Sequence, residues 1–368
     1  MYSLHGAVLW AVAAAVVMQC DAAVTCLDEA GKPVDWFIVY KLPIIKGSSA
    51  KQVQEGYGYM YMDVHQTSLK LSNIWLNATN HAIAHTLQQI YDNHGSQDVG
   101  YLMYNDELPD TQKISSTTFG HTKGDLVFDA SSGFWLVHST PHFPRNSSSS
   151  YIWPNSARRY GQTFLCVTFG YDQFENIGRQ LMYNRPWIYD FNLPSDLVGS
   201  IPSIVSAGHK QHVTSPPWNR SVSLTSAGGQ SFTSFAKSSK FGADIYSSWL
   251  APYLKSDLFV ETWQNGVGKM NSSCDGTYKV NNILDLNLDG KESFKETKDH
   301  AKWAVTASEE SKWICIGDIN RQCSQIYRDG GTLCFENVFA HQNFLNGINA
   351  SQECPQVNQC DKGIIQDW

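Results

Sequence analysis

Short apolar segments alternate with polar and glycine-containing stretches along most of the chain. Residues 35–43 and 161–171 are rich in apolar, aromatic and β-branched side chains, which is typical of buried strands. Phe134–Val137 and Trp313–Ile316 are two shorter segments of the same kind. The pattern therefore predicts strands in both halves of the chain, with a sheet in each half.

Two further stretches, 80–92 and 241–254, have a helical pattern, so the chain mixes helices with strands. A segment rich in Pro, Ser and Gly separates the halves and predicts a connector at 201–220. The length of the chain suits two domains, or one domain built from two similar halves. We therefore predict an α/β fold with an N-terminal half at 23–200 and a C-terminal half at 221–368.

The N-terminus has the pattern of a secretory signal peptide at 1–22. An apolar run at 7–18 is short for a membrane span and is followed by small residues at Cys20 and Ala22, which predicts cleavage after Ala22. The alternative is a buried N-terminal helix, since the first residues lack the usual Lys or Arg. No later segment is apolar and long enough for a span, so we expect no membrane partner. The expected location is the secretory pathway, ending in the lysosome or outside the cell.

Cysteine usage agrees with secretion. The chain has nine Cys, and loss of Cys20 with the signal peptide leaves an even number, which favours disulfides over metal ligation. No two Cys have Cys-x-x-Cys spacing, which argues against a structural zinc site. Asn-x-Ser/Thr triplets predict N-glycosylation in a secreted chain. They begin at Asn77, Asn146, Asn219, Asn271 and Asn349.

The net charge depends on the pH at which the protein works. At pH 7 it is −7, which at first argues against nucleic acid as a partner. Loss of Asp21 with the signal peptide changes it to −6, and protonation of the eleven remaining His would bring it to +5. Most unperturbed His are protonated near pH 5 while Asp and Glu stay largely ionised. An acidic compartment would therefore reverse the sign of the charge.

One imidazole–ammonium pair occurs twice, as His121 with Lys123 and as His300 with Lys302. Chance alone often produces this spacing, and either pair by itself is typical of a solvated strand edge. However, both pairs are followed at the same distance by a short apolar segment that predicts a strand. The chain therefore has the pattern of a duplicated unit.

Two such pairs facing one another suit the hydrolysis of a phosphodiester. On a strand, residues i and i+2 point to the same face, so each His would project with its Lys. The two ammonium groups would stabilise charge on the phosphate oxygens. One neutral imidazole would attack phosphorus to form a phosphohistidine, and the other, protonated, would donate to the leaving oxygen. This chemistry needs no metal and no other cofactor.

A basic and aromatic run at 231–250 has two interpretations. It is typical of an amphipathic helix that faces the core, and it is equally typical of a wall that binds nucleic acid. In the second case Lys237 and Lys240 would contact phosphate or DNA.

Successive blocks of the chain resemble the deoxyribonuclease II family, and the resemblance covers essentially the whole mature chain. The blocks include "YLMYNDELP", "GHTKG", "GFWLVHSTPHFP", "SFAKSSKFGADIYSSWLA", "DHAKW", "CIGDINR" and "GGTLCF". The family is similar in architecture to the phospholipase D superfamily. The resemblance therefore implies a phospholipase D-like pseudo-dimer, in which two mixed-sheet halves share one active site.

The resemblance also implies an activity. It is that of an endodeoxyribonuclease that cuts DNA at acid pH and leaves 3′-phosphate and 5′-hydroxyl ends. His121 would be the nucleophile and His300 the general acid, although the two roles could be exchanged. Asn320, in "GDIN", looks like a superfamily element and is a candidate ligand of phosphate or orienter of a His. In the superfamily an Asp follows the His-x-Lys unit, whereas Phe128 and Ala307 occupy that position here, so no carboxylate is assigned to orient either imidazole.

Three disulfides follow from the resemblance and a fourth from the two Cys that remain. The pairs are Cys26–Cys166, Cys274–Cys354, Cys315–Cys334 and Cys323–Cys360. Two other functions stay open, namely a phosphodiesterase of the same fold with another substrate, and a non-catalytic DNA-binding or toxin-like protein. The sequence is compatible with a monomer and with a homodimer.

Overall fold

The computed structural model describes residues 23–110, 117–308, 310–354 and 360. The predicted signal peptide lies outside the described residues. Within them the chain forms a mixed α/β structure of two large sheets, a small two-stranded sheet and several helices. The predicted α/β class is therefore confirmed.

The N-terminal part of the chain forms the small two-stranded sheet and the first large sheet. Its strands are β1 (Cys26–Leu27), β2 (Pro33–Val34), β3 (Trp36–Lys41), β4 (Tyr59–Asp63), β5 (Lys70–Leu71), β6 (Gly100–Asn105), β7 (Lys123–Phe128), β8 (Ser132–His138), β9 (Gln162–Gly170) and β10 (Ile188–Asn192). β1 and β2 pair with each other, and the others form an eight-stranded sheet in the order β10-β6-β7-β8-β9-β3-β4-β5.

The C-terminal part forms the second large sheet. Its strands are β11 (Asn219–Thr225), β12 (Ser231–Lys237), β13 (Leu258–Glu261), β14 (Val280–Leu288), β15 (Glu292–Lys295), β16 (Trp303–Thr306), β17 (Trp313–Gly317), β18 (Gly330–Glu336) and β19 (Ile348–Ser351). Eight of them follow the order β11-β12-β18-β17-β16-β13-β14-β15, and β19 pairs with β14.

Helices cover the sheets and connect their strands. They are α1 (Lys51–Glu55), α2 (Ala82–Asp92), α3 (Phe174–Asn184), α4 (Ser195–Val198), α5 (Pro202–Gly208), α6 (Ala251–Leu254), α7 (Cys323–Ile326) and α8 (Val338–Asn346). A π-helical turn at Tyr246–Leu250 leads directly into α6.

Five strands of one sheet match five strands of the other. β3, β6, β7, β8 and β9 have the same order along the chain and in the sheet as β12, β13, β16, β17 and β18, and all neighbouring pairs in both sets are antiparallel. Gly124 pairs with Val137 in the first set, and Trp303 pairs with Ile316 in the second. In each pair the first residue is 3 positions and the second 16 positions beyond the His of its half, so matching hairpins account for the repeat in the sequence.

The two sheets share one hydrophobic core. Trp36 of β3 meets Phe335 of β18 edge to face, with ring centroids 5.2 Å apart, and Phe169 of β9 meets Phe232 of β12. Ile204 and Ala207 of α5, three residues apart and so on one helix face, are buried in the same core. Part of the predicted connector is therefore a packed helix, while the boundary between halves stays a prediction.

Most predicted elements are present, but the helical interpretation of 231–250 is wrong for its first part, since Ser231–Lys237 is strand β12. The four predicted strand segments are strands, and the helix predicted at 80–92 is α2. The stretch 241–254 is irregular at its start and becomes helical only at Tyr246. The structure joins the eight described Cys in the four predicted pairs. Among the described residues, no helix is both long and apolar enough to cross a membrane.

Candidate active site

Both His-x-Lys units lie at the entrance of a strand rather than inside it. Lys123 is the first residue of β7, and Lys302 directly precedes β16. The backbone N–H of His121 donates to the carbonyl of Asp329 at 2.9 Å, and that of His300 donates to the carbonyl of Gly161, also at 2.9 Å. Each His is therefore held by the loop that enters a strand of the opposite sheet, β18 or β9.

The imidazole rings are held in the same reciprocal way. Nδ1 of His121 lies 2.6 Å from the carbonyl oxygen of Asp318, and Nδ1 of His300 lies 3.2 Å from that of Ser139. Ser139 and Asp318 each lie 18 residues beyond the His of their own half. Because a carbonyl only accepts, this contact places a proton on Nδ1 and leaves Nε2 with a free lone pair. Backbone carbonyls thus orient the two imidazoles, a role for which the sequence offered no carboxylate.

The surroundings disfavour the charged form of both imidazoles. Burial and then the charges of Lys123, Arg328 and Lys302 lower the pKa of His121 well below its usual value. The ring of His300 is partly exposed, yet loss of hydration is still the first cause that lowers its pKa, followed by Lys302 and Lys123. The pKa of each His is therefore lowered by the lysine of the other half as well as by its own, so the two His-x-Lys units lie near one another.

Lys123 is paired with a carboxylate that the sequence did not reveal as a site residue. Its side chain is 2% exposed and its Nζ donates to Asp106, at the end of β6. Nη2 of Arg328, from the second half, lies 2.9 Å from the other oxygen of Asp106. Burial acts to raise the pKa of Asp106, but the two cations outweigh it and lower that pKa. The "ND" after a strand in "YLMYNDELP" was the available signal for Asp106, whereas Arg328 had none.

Lys302 contacts its own His. Its Nζ donates to the carbonyl of His300 at 2.6 Å and lies 3.0 Å from Nδ1 of that ring. Burial and then the charge of Lys123 lower the pKa of Lys302 to about 7. The same Nζ lies 3.4 Å from Nε2, and Nδ1 also lies 3.3 Å from Oε1 of Gln162, an acceptor like the carbonyl of Ser139. The charge of Lys302 therefore acts on both ring nitrogens of His300, whereas the Nδ1 of His121 faces only a carbonyl among its described partners.

Two carboxyl groups next to the imidazoles have a raised pKa. Burial raises the pKa of Asp318 to about 7, although Thr122 donates to its carboxylate at 2.8 Å. Burial likewise raises the pKa of Asp299, which accepts from the hydroxyl of Tyr40, to about 6. At mildly acid pH most of these carboxyl groups are protonated and uncharged, so they add little negative charge near a bound phosphate.

Two buried lysines hold the loops that carry these contacts. Nζ of Lys41, at the end of β3, donates to the carbonyls of Arg158 and Tyr160. Nζ of Lys237, at the end of β12, donates to the carbonyls of Gln325, Ile326 and Arg328. The residues that follow these loops are Gly161 and Asp329, whose carbonyls hold the backbones of the two His. We call these two groups the loop clamps.

The loop clamp at Lys237 bears on the prediction that this residue contacts phosphate or DNA. Lys237 is 0% exposed, and its three donors all face carbonyl oxygens. This geometry does not support a direct contact with phosphate, because no donor of the ammonium group remains for it. Lys240, in contrast, is exposed and lies 4.7 Å from the centroid of the Trp218 ring.

Asn320 is linked to His300 through Trp263. Its Oδ1 accepts from the backbone N–H of Trp263 at 3.2 Å, and the Trp263 ring in turn meets His300, with centroids 5.2 Å apart. Its predicted contact with phosphate or a His stays a prediction. Within the part of the chain that the structure describes, no group of three His, Cys, Asp or Glu side chains could hold a metal ion.

Two matching sheets that bring two imidazoles and two ammonium groups together define an α/β protein with a paired His–Lys centre. The family model for deoxyribonuclease II matches residues 25–354. The chain therefore belongs to the deoxyribonuclease II family.

Several curated relatives are similar over most of their length. Plancitoxin-1 from Acanthaster planci is 53% identical over 92% of this chain and 95% of that protein. Deoxyribonuclease-2-alpha from Rattus norvegicus is 40% identical over 93% of this chain and 97% of that protein. Deoxyribonuclease-2 from Caenorhabditis elegans is 40% identical over 88% and 92% of the two chains.

Proposed function

We propose that this protein is a metal-independent endodeoxyribonuclease that hydrolyses DNA at acid pH to 3′-phosphate and 5′-hydroxyl ends. The two halves act as a pseudo-dimer with one shared active site, and the working place is the lysosome or a secretion. The reciprocal hold on the two His carries the proposal, because each imidazole is oriented by the half that does not contain it. Family membership supports DNA as the substrate.

The proposed reaction has two steps. Nε2 of His121 attacks phosphorus, the bond from phosphorus to the 5′ oxygen breaks, and Nε2 of His300 gives its proton to that oxygen. Lys123 and Lys302 stabilise the charge that develops on the other phosphate oxygens. Water then attacks the phosphohistidine while His300 takes a proton from it. The phosphorus–nitrogen bond breaks, His121 is restored, and a 3′-phosphate is released.

The contacts of the two rings support this division of roles. The carbonyl of Asp318, at 2.6 Å from Nδ1, favours the form of His121 with a free lone pair on Nε2, as a nucleophile requires. Lys302 lies 3.0 Å from Nδ1 and 3.4 Å from Nε2 of His300, and its charge lowers the pKa of that ring, so the protonated form of His300 gives up its proton readily. The partial exposure of His300 also allows it to reach a leaving group.

The lowered pKa of both imidazoles supports an acid optimum. The acid must carry a second proton, and burial together with two lysines makes that form scarce at neutral pH. Activity that requires this proton is lost as the pH rises through the lowered pKa. A bound phosphate has the opposite effect, since its negative charge favours an imidazolium. The protein therefore works best at a pH at which one imidazole is protonated and the other is neutral.

The direct test is cleavage of supercoiled plasmid from pH 4 to pH 8, with and without EDTA, followed by analysis of the new ends. We expect a maximum on the acid side, the same rate in EDTA, and ends that polynucleotide kinase labels at the 5′ side without prior phosphatase treatment. The His121→Ala variant serves as the background control. Loss of cleavage in EDTA that Mg²⁺ restores would disprove metal independence.

A toxin-like role is a second candidate, because the relative that is 53% identical carries the word toxin in its name. This role is compatible with hydrolysis, since both His-x-Lys units are intact. Exposure of cultured cells to the protein and to its His121→Ala variant separates the cases. Equal toxicity of the two proteins would assign the effect to binding rather than to cleavage.

A further inference from the structure

The side chain of Gln162 lies against the ring of His300. Gln162 is the first residue of β9 and directly follows Gly161, whose carbonyl holds the backbone of His300. It is 2% exposed, and its Oε1 lies 3.3 Å from Nδ1 of His300. The amide group of Gln162 therefore reaches the imidazole from the opposite half of the chain.

The contacts of Ser139 fix the direction in which this amide faces. The backbone N–H of Thr163 donates to Oγ of Ser139 at 3.0 Å, and that Oγ lies 2.6 Å from Oε1 of Gln162. Among the described residues the hydroxyl has no other acceptor for its own proton, so the atom that it meets is the amide oxygen. The oxygen of Gln162 thus faces Ser139 and His300, and its NH₂ group points away from both acceptors at that ring.

The NH₂ group is a donor that the protein itself leaves unpaired. Nε2 of Gln162 makes no hydrogen bond to any residue that the structure describes, and part of its surface stays accessible. A donor on a residue this deeply buried calls for a partner, because lost hydration is otherwise not replaced. Nζ of Lys302 lies 3.0 Å from the same ring nitrogen of His300, so the amide and the ammonium group stand next to one another.

The equivalent position in the other half has no side chain. Gln162 and Gly330 are the strand partners of the two loop-clamp lysines, so they hold matching places in the two sheets. At Gly330 an added Cβ would lie 2.5 Å from Cδ1 of Ile319, which leaves no room for a side chain. The two halves therefore differ at this point, with an amide beside His300 and a glycine at the matching place near His121.

We propose that Gln162 is a further catalytic residue, whose Nε2 donates to a non-bridging oxygen of the scissile phosphate. The inference rests on the proposed function and adds a residue to that same site. Lys123 and Lys302 attract the phosphate by charge, whereas the amide, held by Ser139, donates in one fixed direction. The amide does not titrate, so its donor is present throughout the pH range in which the imidazoles change charge. Gln162 thus orients the phosphate beside His300.

The test is the binding of inorganic phosphate at pH 5, measured by isothermal titration calorimetry in proteins that lack the His300 ring. It compares His300→Ala with His300→Ala/Gln162→Met, in which an uncharged side chain of similar length replaces the amide. We expect phosphate to bind about 10- to 100-fold more weakly to the double variant, as loss of one hydrogen bond to a charged group implies. Equal binding would show that Gln162 acts only by positioning His300, and would overturn the inference.

The rate of DNA cleavage gives a second readout. kcat/KM for supercoiled plasmid should fall roughly 10²- to 10³-fold in Gln162→Met and in Gln162→Glu, since both lack the NH₂ group. Gln162→Glu keeps the acceptor oxygen, so a wild-type rate in this variant would refute the inference.

Gln342→Glu is the matched control for the change in charge. Gln342 is exposed and lies in α8, where the adjacent His341 contacts the carbonyl of Thr306 at the end of β16 that is remote from Lys302. We expect the wild-type rate and the wild-type affinity for phosphate in this variant.

The two readouts separate this inference from the proposed function. If the wild-type protein cleaves no DNA, the proposed function fails and the phosphate affinities alone decide. Thermal denaturation checks that each variant is folded. If Gln162→Met does not fold, Gln162→Glu replaces it in the same comparison, and an equal affinity for phosphate again refutes the contact. A wild-type protein that binds no inorganic phosphate would also overturn the inference, because the site would then not take the ligand.

Discussion

Each imidazole of the site is oriented by a carbonyl from the opposite half of the chain. At the scale of residues, the two otherwise similar His differ in their contacts. His121 faces a carbonyl, while His300 faces both a carbonyl and the ammonium group of Lys302. The pKa of both rings is lowered, first by loss of hydration and then by lysine charges. These causes predict how the pH dependence changes when one charge is removed.

Lys302→Gln should move the alkaline limb of the pH profile of kcat/KM to higher pH. The Lys302 charge depresses the pKa of His300, so its removal lets His300 keep its acid proton at higher pH. The rate should fall roughly 10²- to 10³-fold, the loss typical of one transition-state donor. Lys51→Gln is the control, since Lys51 is 76% exposed and should change neither quantity. An alkaline limb at lower pH in Lys302→Gln would contradict this electrostatic account.

The leaving group should decide which His can be replaced. His300→Ala should cleave no DNA at any pH, because the 5′ oxygen needs a proton to leave. A thymidine 3′-(p-nitrophenyl phosphate) substrate, with a leaving group that needs no proton, should be partly spared and should lose its alkaline limb. His121→Ala should be inactive on both substrates. If His121→Ala instead keeps the activated ester and His300→Ala loses it, the two roles are reversed.

At the scale of elements, the loop clamps join strand ends to the loops that hold His121 and His300. β3 and β12 are matching strands, and each ends in a buried lysine that holds the loop before β9 or β18. Each loop then supplies the carbonyl that accepts from a His backbone. A buried ammonium group with carbonyl partners is stabilising only as long as those partners stay in place. The clamps therefore couple the stability of two loops to the geometry of the site.

Lys237→Met should lower the free energy of unfolding by about 2–5 kcal/mol, because three buried carbonyls lose their donor. Urea denaturation of the purified proteins measures the change. The control is Lys51→Met, for which we expect a change within about 0.5 kcal/mol at this exposed position. A Lys237 variant as stable as the control would show that the clamp contributes nothing to folding.

The sequence predicted the elements better than their contacts. The strand at 134–137 and the helix at 80–92 follow from local pattern, and the repeat of His-x-Lys follows from the matched hairpins. The orienting carbonyl of Asp318 lies 197 residues from His121, so no local pattern could reveal it. The burial of Lys237 depends on the loop at 325–328 folding over it, which composition cannot show. The match between the ends of β3 and β12 was visible as "FIVYK" and "SFAK", but its meaning required the structure.

At the scale of the whole molecule, four disulfides restrain two sheets that share one core, and each half has a further apolar cluster of its own. Cys26–Cys166 closes a separation of 140 residues and ties the N-terminal strand β1 to β9. Cys323–Cys360 closes a separation of 37 residues near the C-terminus. In the chain-entropy model, a disulfide stabilises a fold more when it closes a longer loop.

Cys26→Ser should reduce secretion sharply and lower the free energy of unfolding by about 2–5 kcal/mol. Cys323→Ser removes a disulfide that closes a shorter loop, so it should lower the free energy of unfolding by less. When the wild-type protein is denatured without a reducing agent, thiol labelling should find no free thiol among the eight described Cys. Two reactive thiols at Cys323 and Cys360 would contradict the fourth pair.

The crossing of the two halves has a consequence for synthesis. A ribosome makes the chain from its N-terminus, and domains can fold as they emerge. His121 emerges long before Asp318 and Asp329, which hold its ring and its backbone. Ser139 emerges early, but His300, whose ring it holds, emerges much later. A nascent chain of the first sheet therefore contains an imidazole and an ammonium group but no working centre. The proposed centre is therefore assembled only after the residues around 318–329 have been made, so we expect no cleavage of DNA by a shorter nascent chain.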